Sequence, residues 1–141
     1  MIKSFAELTK EELYEILRVR AEVFAAWQRC AYQDIDGLDC ESVHMYLTDG
    51  GKIAAYLRFF RRAGEPEVYQ IGRVLTVRRG EGLGGKLLRE AVREIRSRGA
   101  EGIYLEAQVY ARGFYEREGF RAVTDEFDED GIPHIGMRLT F

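Results

Sequence analysis

The stretch Arg79-Gly80-Glu81-Gly82-Leu83-Gly84-Gly85 constrains this 141-residue chain more than any other. Four glycines in seven positions exclude both a strand and a helix interior, since each gives up backbone entropy without packing a side chain. Directly beyond it, Leu87, Leu88, Ala91, Val92 and Ile95 recur at helical spacing until about Gly99. Directly before it, residues 68–77 read as a strand. A strand, a glycine turn and a helix in that order collect unpaired amides and the positive end of the helix dipole at one place, which suits an anion. Arg78, Arg79, Lys86 and Arg89 add charge around it. A plain connection with solvated arginines has no need of four glycines, so a phosphate-bearing ligand is the better account.

Two common phosphate loops do not fit. A P-loop needs GxxxxGK[ST], whereas Gly80 is followed by Gly85-Lys86-Leu87 with no hydroxyl to reach magnesium. A dinucleotide fingerprint needs GxGxxG after the first strand; Gly80-Glu81-Gly82-Leu83-Gly84 lacks that spacing and follows a late strand.

The rest of the chain gives the loop its setting. Thr9-Lys10-Glu11-Glu12 is a capping box, and Leu13, Ile16, Leu17 and Phe24 follow at helical spacing, so a helix is predicted over about 10–28, in one piece or two. Residues 32–39 are polar and turn-rich. Strands are predicted at 42–48 and 52–61, joined by a hairpin at Asp49-Gly50-Gly51, and the turn Gly64-Glu65-Pro66 leads into 68–77. After the glycine-loop helix come a strand at 102–108, a short helix at 111–118 stopped by Gly119, and closing strands at 120–124 and 132–140. Hairpins followed by a strand–helix–strand crossover imply an α/β (α+β) fold with a mixed sheet. With no repeat, low-complexity tract or linker, residues 1–141 read as one domain.

Composition excludes several classes. The net charge of −3 gives no general nucleic-acid signal, although 17 of the 21 cations are arginine, the residue suited to phosphate and carboxylate. The longest apolar runs, such as Ile53-Ala54-Ala55-Tyr56-Leu57, have five residues, against the about 20 needed to span a bilayer. The N-terminus lacks the apolar core of a signal peptide. Cys30 and Cys40 make neither a disulfide framework nor a metal site, and read as reduced thiols in a cytoplasmic protein.

Two motifs in order narrow the class. Arg79-Gly80-Glu81-Gly82-Leu83-Gly84 resembles R/Q-x-x-G-x-G/A, the pyrophosphate loop of the GNAT acetyltransferase superfamily. The run from Gln108 through Ala111, Phe114, Tyr115 and Glu116 to Gly119-Phe120 resembles its second signature, N-x-x-A-x-x-[LF]-Y-[EQ]-x-x-G-F. Tyr32-Gln33-Asp34-Ile35-Asp36-Gly37, Ile71-Gly72-Arg73-Val74, Ala107-Gln108 and Glu129-Asp130-Gly131-Ile132-Pro133-His134-Ile135-Gly136-Met137 are similar to the ElaA-like branch, so the resemblance covers nearly the whole chain. Gln108 stands where many such proteins have asparagine and keeps the amide donor.

The resemblance implies a splayed sheet of about six to seven strands flanked by helices, and acetyl transfer from acetyl-CoA to a primary amine by direct attack, without a metal. It implies that amides of Gly82, Leu83, Gly84, Gly85 and Lys86 hold the pyrophosphate, with charge from Arg79. Backbone groups of Leu75, Thr76 and Val77 would pair with the pantetheine arm, one near Leu75 serving as an oxyanion donor, and Gln108 and Phe114 would complete the cofactor site. Tyr115 would protonate the departing thiolate, for which a phenol of pKa about 10 is suited; read without the motif, it is an aromatic between Phe114 and Phe120. No acid lies inside the strand before the loop, which leaves Glu106, His134 and His44 as candidate bases. His134 is delivered from a turn, whereas His44 sits mid-strand like a structural histidine.

Two acidic groups, Asp34, Asp36, Asp39 and Glu41, and Glu126, Asp128, Glu129 and Asp130, read as solvated loops, or as a lure for amines if both border the cleft. Trp27, Tyr56, Phe59 and Phe60 read as core, with room for one ring in an acceptor pocket. Arg58, Arg61 and Arg62 read as a solvated strand edge. A CoA-binding sensor without turnover, and a nucleotide-phosphate binder, are the competing functions; the acceptor's identity, and monomer against homodimer, stay open.

Overall fold

The computed structural model describes residues 1–27 and 33–141; the Trp27 side chain, Cys30 and Tyr32 lie outside the described residues. Among the described residues, eight strands form a single sheet: β1 (Ile2–Ser4), β2 (Val43–Asp49), β3 (Lys52–Arg62), β4 (Glu65–Thr76), β5 (Gly102–Gln108), β6 (Arg121–Ala122), β7 (Phe127–Glu129) and β8 (Ile132–Thr140). Their order is β1-β2-β3-β4-β5-β8-β6, with β7 also on β8; β4 and β5 pair in parallel and the other described pairs are antiparallel. The helices are α1 (Lys10–Arg20), α2 (Leu83–Ser97) and α3 (Arg112–Arg117). None of the described helices is long and apolar enough to cross a membrane.

The capping box at α1 forms as its sequence dictates: the Glu12 amide donates to the Thr9 hydroxyl at 3.1 Å and the Thr9 amide to the Glu12 carboxylate at 2.8 Å. The helix does not run regularly to residue 28, because after Arg20 it widens into π-helical turns over Ala21–Trp27. Its apolar side, Ile16, Val19, Val23 and Phe24, covers Tyr46, Tyr56 and Leu75 on one face of the sheet. On the other face, α2 sets Leu87, Leu88, Ala91 and Ile95 against Leu57, Phe59, Tyr69, Ile71, Ile103 and Leu105.

The sheet has more strands than the six to seven expected. The addition that matters is β7, where Asp130 (φ 53°) and Gly131 (φ 81°) make a two-residue turn that folds part of a supposed acidic loop back onto β8.

The other acidic loop is clamped. Arg58, expected at a solvated edge, is 2% exposed and binds Asp36 at 2.5 Å and Asp39 at 2.8 Å. The buried Arg20 binds the same Asp39 oxygen at 2.6 Å and Asp34 at 3.1 Å, and Arg73 binds Asp34 at 2.9 Å. Three arginines thus neutralise three aspartates, with bidentate geometry that lysine would not reproduce. His44 joins them as a structural residue. Its Nε2 donates to the Asp39 carbonyl at 3.0 Å, so its Nδ1 accepts from the Tyr56 hydroxyl at 2.6 Å, and burial holds its titration below the ordinary value.

Partial burial opposes ionisation of Asp36, but hydrogen bonds from Arg58 and the Leu38 amide outweigh it and hold the carboxyl at about 2. A depressed folded-state pKa contributes stability that is complete above the unfolded value near 3.9 and vanishes as pH falls through the folded one. Chemical denaturation is therefore expected to show stability dropping between pH 4 and pH 2 less steeply in Asp36→Asn than in the parent.

Candidate active site

The site begins with one surplus residue. Between the pairs Tyr56↔Leu75 and Arg58↔Gly72, β3 contributes only Leu57 while β4 contributes Arg73 and Val74. This β-bulge holds Arg73 at φ 55° and bends β4. The bulge coincides with the end of the parallel ladder: β4 pairs with β5 from Val68↔Gly102 to Ile71↔Leu105 and no further, although the strands run on to Thr76 and Gln108. Beyond that point the two strands part, and a cavity of about 510 Å³ lies at the opening.

The open edge of β4 presents particular amides. Val77 N–H donates to the Ala54 carbonyl at 3.0 Å, toward β3. Backbone groups alternate sides along a strand, so Leu75 also turns toward β3, and Thr76 and Val74 turn to the open edge. Of the three positions expected to offer backbone to a pantetheine arm, Thr76 has that orientation; Leu75 packs its side chain against α1.

The N-terminus of α2 adjoins the same edge. A Cβ on Gly84 would lie 3.2 Å from Thr76 Cγ2 and 3.7 Å from the Phe114 ring, so strand, α2 and α3 meet there without room for a side chain. Gly82, at φ 71°, supplies no side-chain cap, and the first turn holds no acidic residue, in contrast to the capped start of α1. The leading amides of a four-turn helix are left for an external anion. Arg79 and Lys86 are exposed beside them. Arg78 and Arg89 are engaged elsewhere: Arg78 binds Asp49 at 2.7 Å and Glu81 at 3.0 Å, and Arg89 binds Glu118 at 3.1 Å. Gly84→Val is expected to keep the fold by circular dichroism and weaken acetyl-CoA binding about tenfold, or 1.4 kcal/mol, by calorimetry.

The cavity collects the candidate reacting groups. Tyr115, Glu106, His134 and Gln108 all line it, together with Glu129, Asp130 and Tyr110. Tyr115 is 8% exposed and is held edge-on between Phe114 (5.0 Å between centroids) and Phe120 (6.0 Å). Burial, and to a lesser degree the Tyr110 phenol, pushes its titration well above the ordinary value, so the hydroxyl keeps its proton at neutral pH. Glu106 accepts from the Tyr104 hydroxyl at 3.1 Å. His134 donates from Nδ1 to the Ile132 carbonyl at 2.8 Å, stacks on Phe127, and sets Nε2 3.5 Å from Glu129 Oε2.

The sequence marks Glu129 as part of an acidic loop and of a block that resembles the ElaA-like branch, and gives it no role in the site. The usable signal was the turn residues Asp130-Gly131: a two-residue hairpin places 127, 129, 132 and 134 on one face. Of the other acidic group, Asp36 reaches the cavity, already paired with Arg58. Phe60 is the ring from β3 that lines it.

A mixed sheet parted beside an uncapped glycine helix start, with a proton-bearing tyrosine in the opening, has the architecture of the acyl-CoA N-acyltransferases. The crystal structure of one such enzyme from Pseudomonas aeruginosa superposes with a TM-score of 0.90 at 38% identity, over 98% of this chain and 97% of that one. The acetyltransferase (GNAT) domain profile matches residues 6–141, and the chain belongs to that family. Protein ElaA of Escherichia coli (strain K12) is 36% identical over 137 residues, 94% of this chain and 90% of ElaA. The crystal structure of Escherichia coli ElaA has a TM-score of 0.90 at 34% identity, covering 98% and 96% of the two chains.

Proposed function

We propose that this chain transfers the acetyl group of acetyl-CoA to a primary amine of a small molecule or peptide by direct attack, with Tyr115 as the general acid. The observation that carries the reading is that the buried Tyr115 lines one cavity with Glu106, Glu129 and His134, along the edge of β4 whose Thr76 packs at the uncapped start of α2. Amides of Gly82, Leu83, Gly84 and Gly85, with Arg79, would bind the pyrophosphate, and acetyl-CoA when bound supplies the activated acyl group. The Lys86 amide already donates to the Gly82 carbonyl at 3.1 Å, so Lys86 would add the charge of its exposed side chain. Val74 and Thr76 would offer backbone groups along the open edge, to the pantetheine arm and to the oxygen that gains charge during attack. Gln108 lines the cavity from β5, and Phe114 of α3 would border the cofactor from beside Gly84 at the start of α2. The Tyr115 hydroxyl would give its proton to the departing sulfur, while an acid or imidazole across the cavity takes one from the incoming ammonium.

β4 carries no acid in the part that borders the cavity, yet the opening has proton acceptors from β5, β7 and β8 instead. Turnover is therefore favoured over a sensor that only binds acetyl-CoA. Free-thiol release from acetyl-CoA against a panel of small amines, polyamines, amino acids and peptide N-termini tests this, with mass spectrometry of the acetylated product. Release that depends on a particular amine supports the transferase. Acetyl-CoA binding by calorimetry without release for any amine would establish the sensor.

A further inference from the structure

The Nδ1 atom of His134 faces the Ile132 carbonyl at 2.8 Å. A carbonyl can only accept, so Nδ1 carries the proton and, in the neutral ring, Nε2 holds the lone pair. Nε2 lies 3.5 Å from Glu129 Oε2, longer than an ordinary hydrogen bond. Two electron-rich atoms thus face each other across a gap that one proton would bridge. The ring cannot easily turn away, since it stacks on Phe127 at 6.1 Å with a 24° tilt and its side chain is 12% exposed. Both residues line the cavity that holds Tyr115.

We infer that Glu129 and His134 act as a pair that takes the proton from the acceptor's ammonium, His134 Nε2 receiving it and Glu129 positioning and stabilising the imidazolium. This rests on the transferase reading. The step balances simply: the N–H bond of R–NH3⁺ breaks, Nε2–H forms, and the freed amine attacks while the charged ring sits against the Glu129 carboxylate. As the C–N bond forms and the C–S bond breaks, Tyr115 O–H protonates the sulfur. The second nitrogen proton restores Tyr115, and His134 returns its proton to solvent.

The surroundings favour a proton in that gap. Besides His134, the Glu129 carboxyl faces Glu106 of β5, Asp130 of its own turn and Arg73 of β4. Burial and the charges of Glu106 and Asp130 together outweigh His134 and Arg73 and raise the Glu129 titration. A site with excess negative charge binds a proton, or an ammonium carrying one, more readily than water does.

The chain has two histidines, so ring ¹⁵N signals separate His134 from the buried His44. In the wild type, the neutral His134 ring should carry its proton on Nδ1. In E129Q the ring should titrate at lower pH while His44 is unmoved, and the acid limb of kcat/KM should shift the same way. kcat/KM should fall about tenfold in E129Q and about 100-fold or more in H134Q, with acetyl-CoA affinity unchanged and partial recovery in E129D. A neutral ring protonated on Nε2, or superimposable His134 titrations in wild type and E129Q, would overturn the pairing. An H134Q variant that keeps the acid limb would overturn the proton-acceptor role. A ring that behaves as stated in a protein that turns over no amine overturns the transferase reading, not the pairing.

Discussion

Replacing Tyr115 by phenylalanine is expected to lower kcat about 100-fold or more while leaving acetyl-CoA affinity within about twofold. The substitution removes one oxygen and keeps the ring, so the edge-on contacts with Phe114 and Phe120 survive and the fold has no reason to change. What disappears is the hydroxyl of a residue that lines the cavity, a group that the ring packing does not need. A thiolate leaving unprotonated is a poorer leaving group, and the loss should grow when the amine is a weak nucleophile and expulsion of sulfur limits the rate. Thiol release at saturating substrates measures kcat, and calorimetry measures binding. Wild-type kcat in this variant would mean that water protonates the sulfur and that the ring is there for packing.

The second large effect concerns stability. Asp39→Ala is expected to cost about 3–5 kcal/mol, because it strips the shared carboxylate from two arginines that cannot reach water. Arg20 and Arg58 are 0% and 2% exposed, and both bind the same Asp39 oxygen. The melting temperature should drop by roughly 10–20 °C for a domain of this size. By contrast, Glu116→Ala breaks the exposed Arg112–Glu116 pair, whose removal should change stability by no more than about 0.5 kcal/mol. Equal effects from the two substitutions, read by thermal denaturation, would contradict the account of the cluster given above.

The clamp also shows where the sequence was readable. Turn chemistry, capping and helical periodicity lie within a few residues, and they located α1, α2, the β2–β3 hairpin and the glycine turn. The family resemblance added the splay and the role assigned to Tyr115, which no local pattern carries. The burial of Arg58 was not legible. It depends on Asp36 and Asp39, some twenty positions away, folding over a strand that in isolation looks like an edge. The orientation of β4 was hidden for a different reason. Tyr69 and Ile71 face α2, whereas Leu75 and Val77 pack with the α1 side, so the odd positions change faces within one strand. Alternation read straight through residues 68–77 misses that inversion, because the bulge at Arg73 resets the period. The same inversion accounts for which amides face the opening, and why, of Leu75, Thr76 and Val77, it is Thr76 that turns to it.

That inversion makes the opening a matter of counting. The surplus residue of β4 falls where the strand leaves β5. Deleting one residue at 73 or 74 would return the strand to regular register with β3. β4 could then continue along β5, and backbone hydrogen bonds would fill the space now lined by Tyr115 and His134. Substitutions in the cavity can tune which molecule enters. A single codon lost from β4 would remove the doorway itself, leaving a better-paired sheet and nothing for it to do.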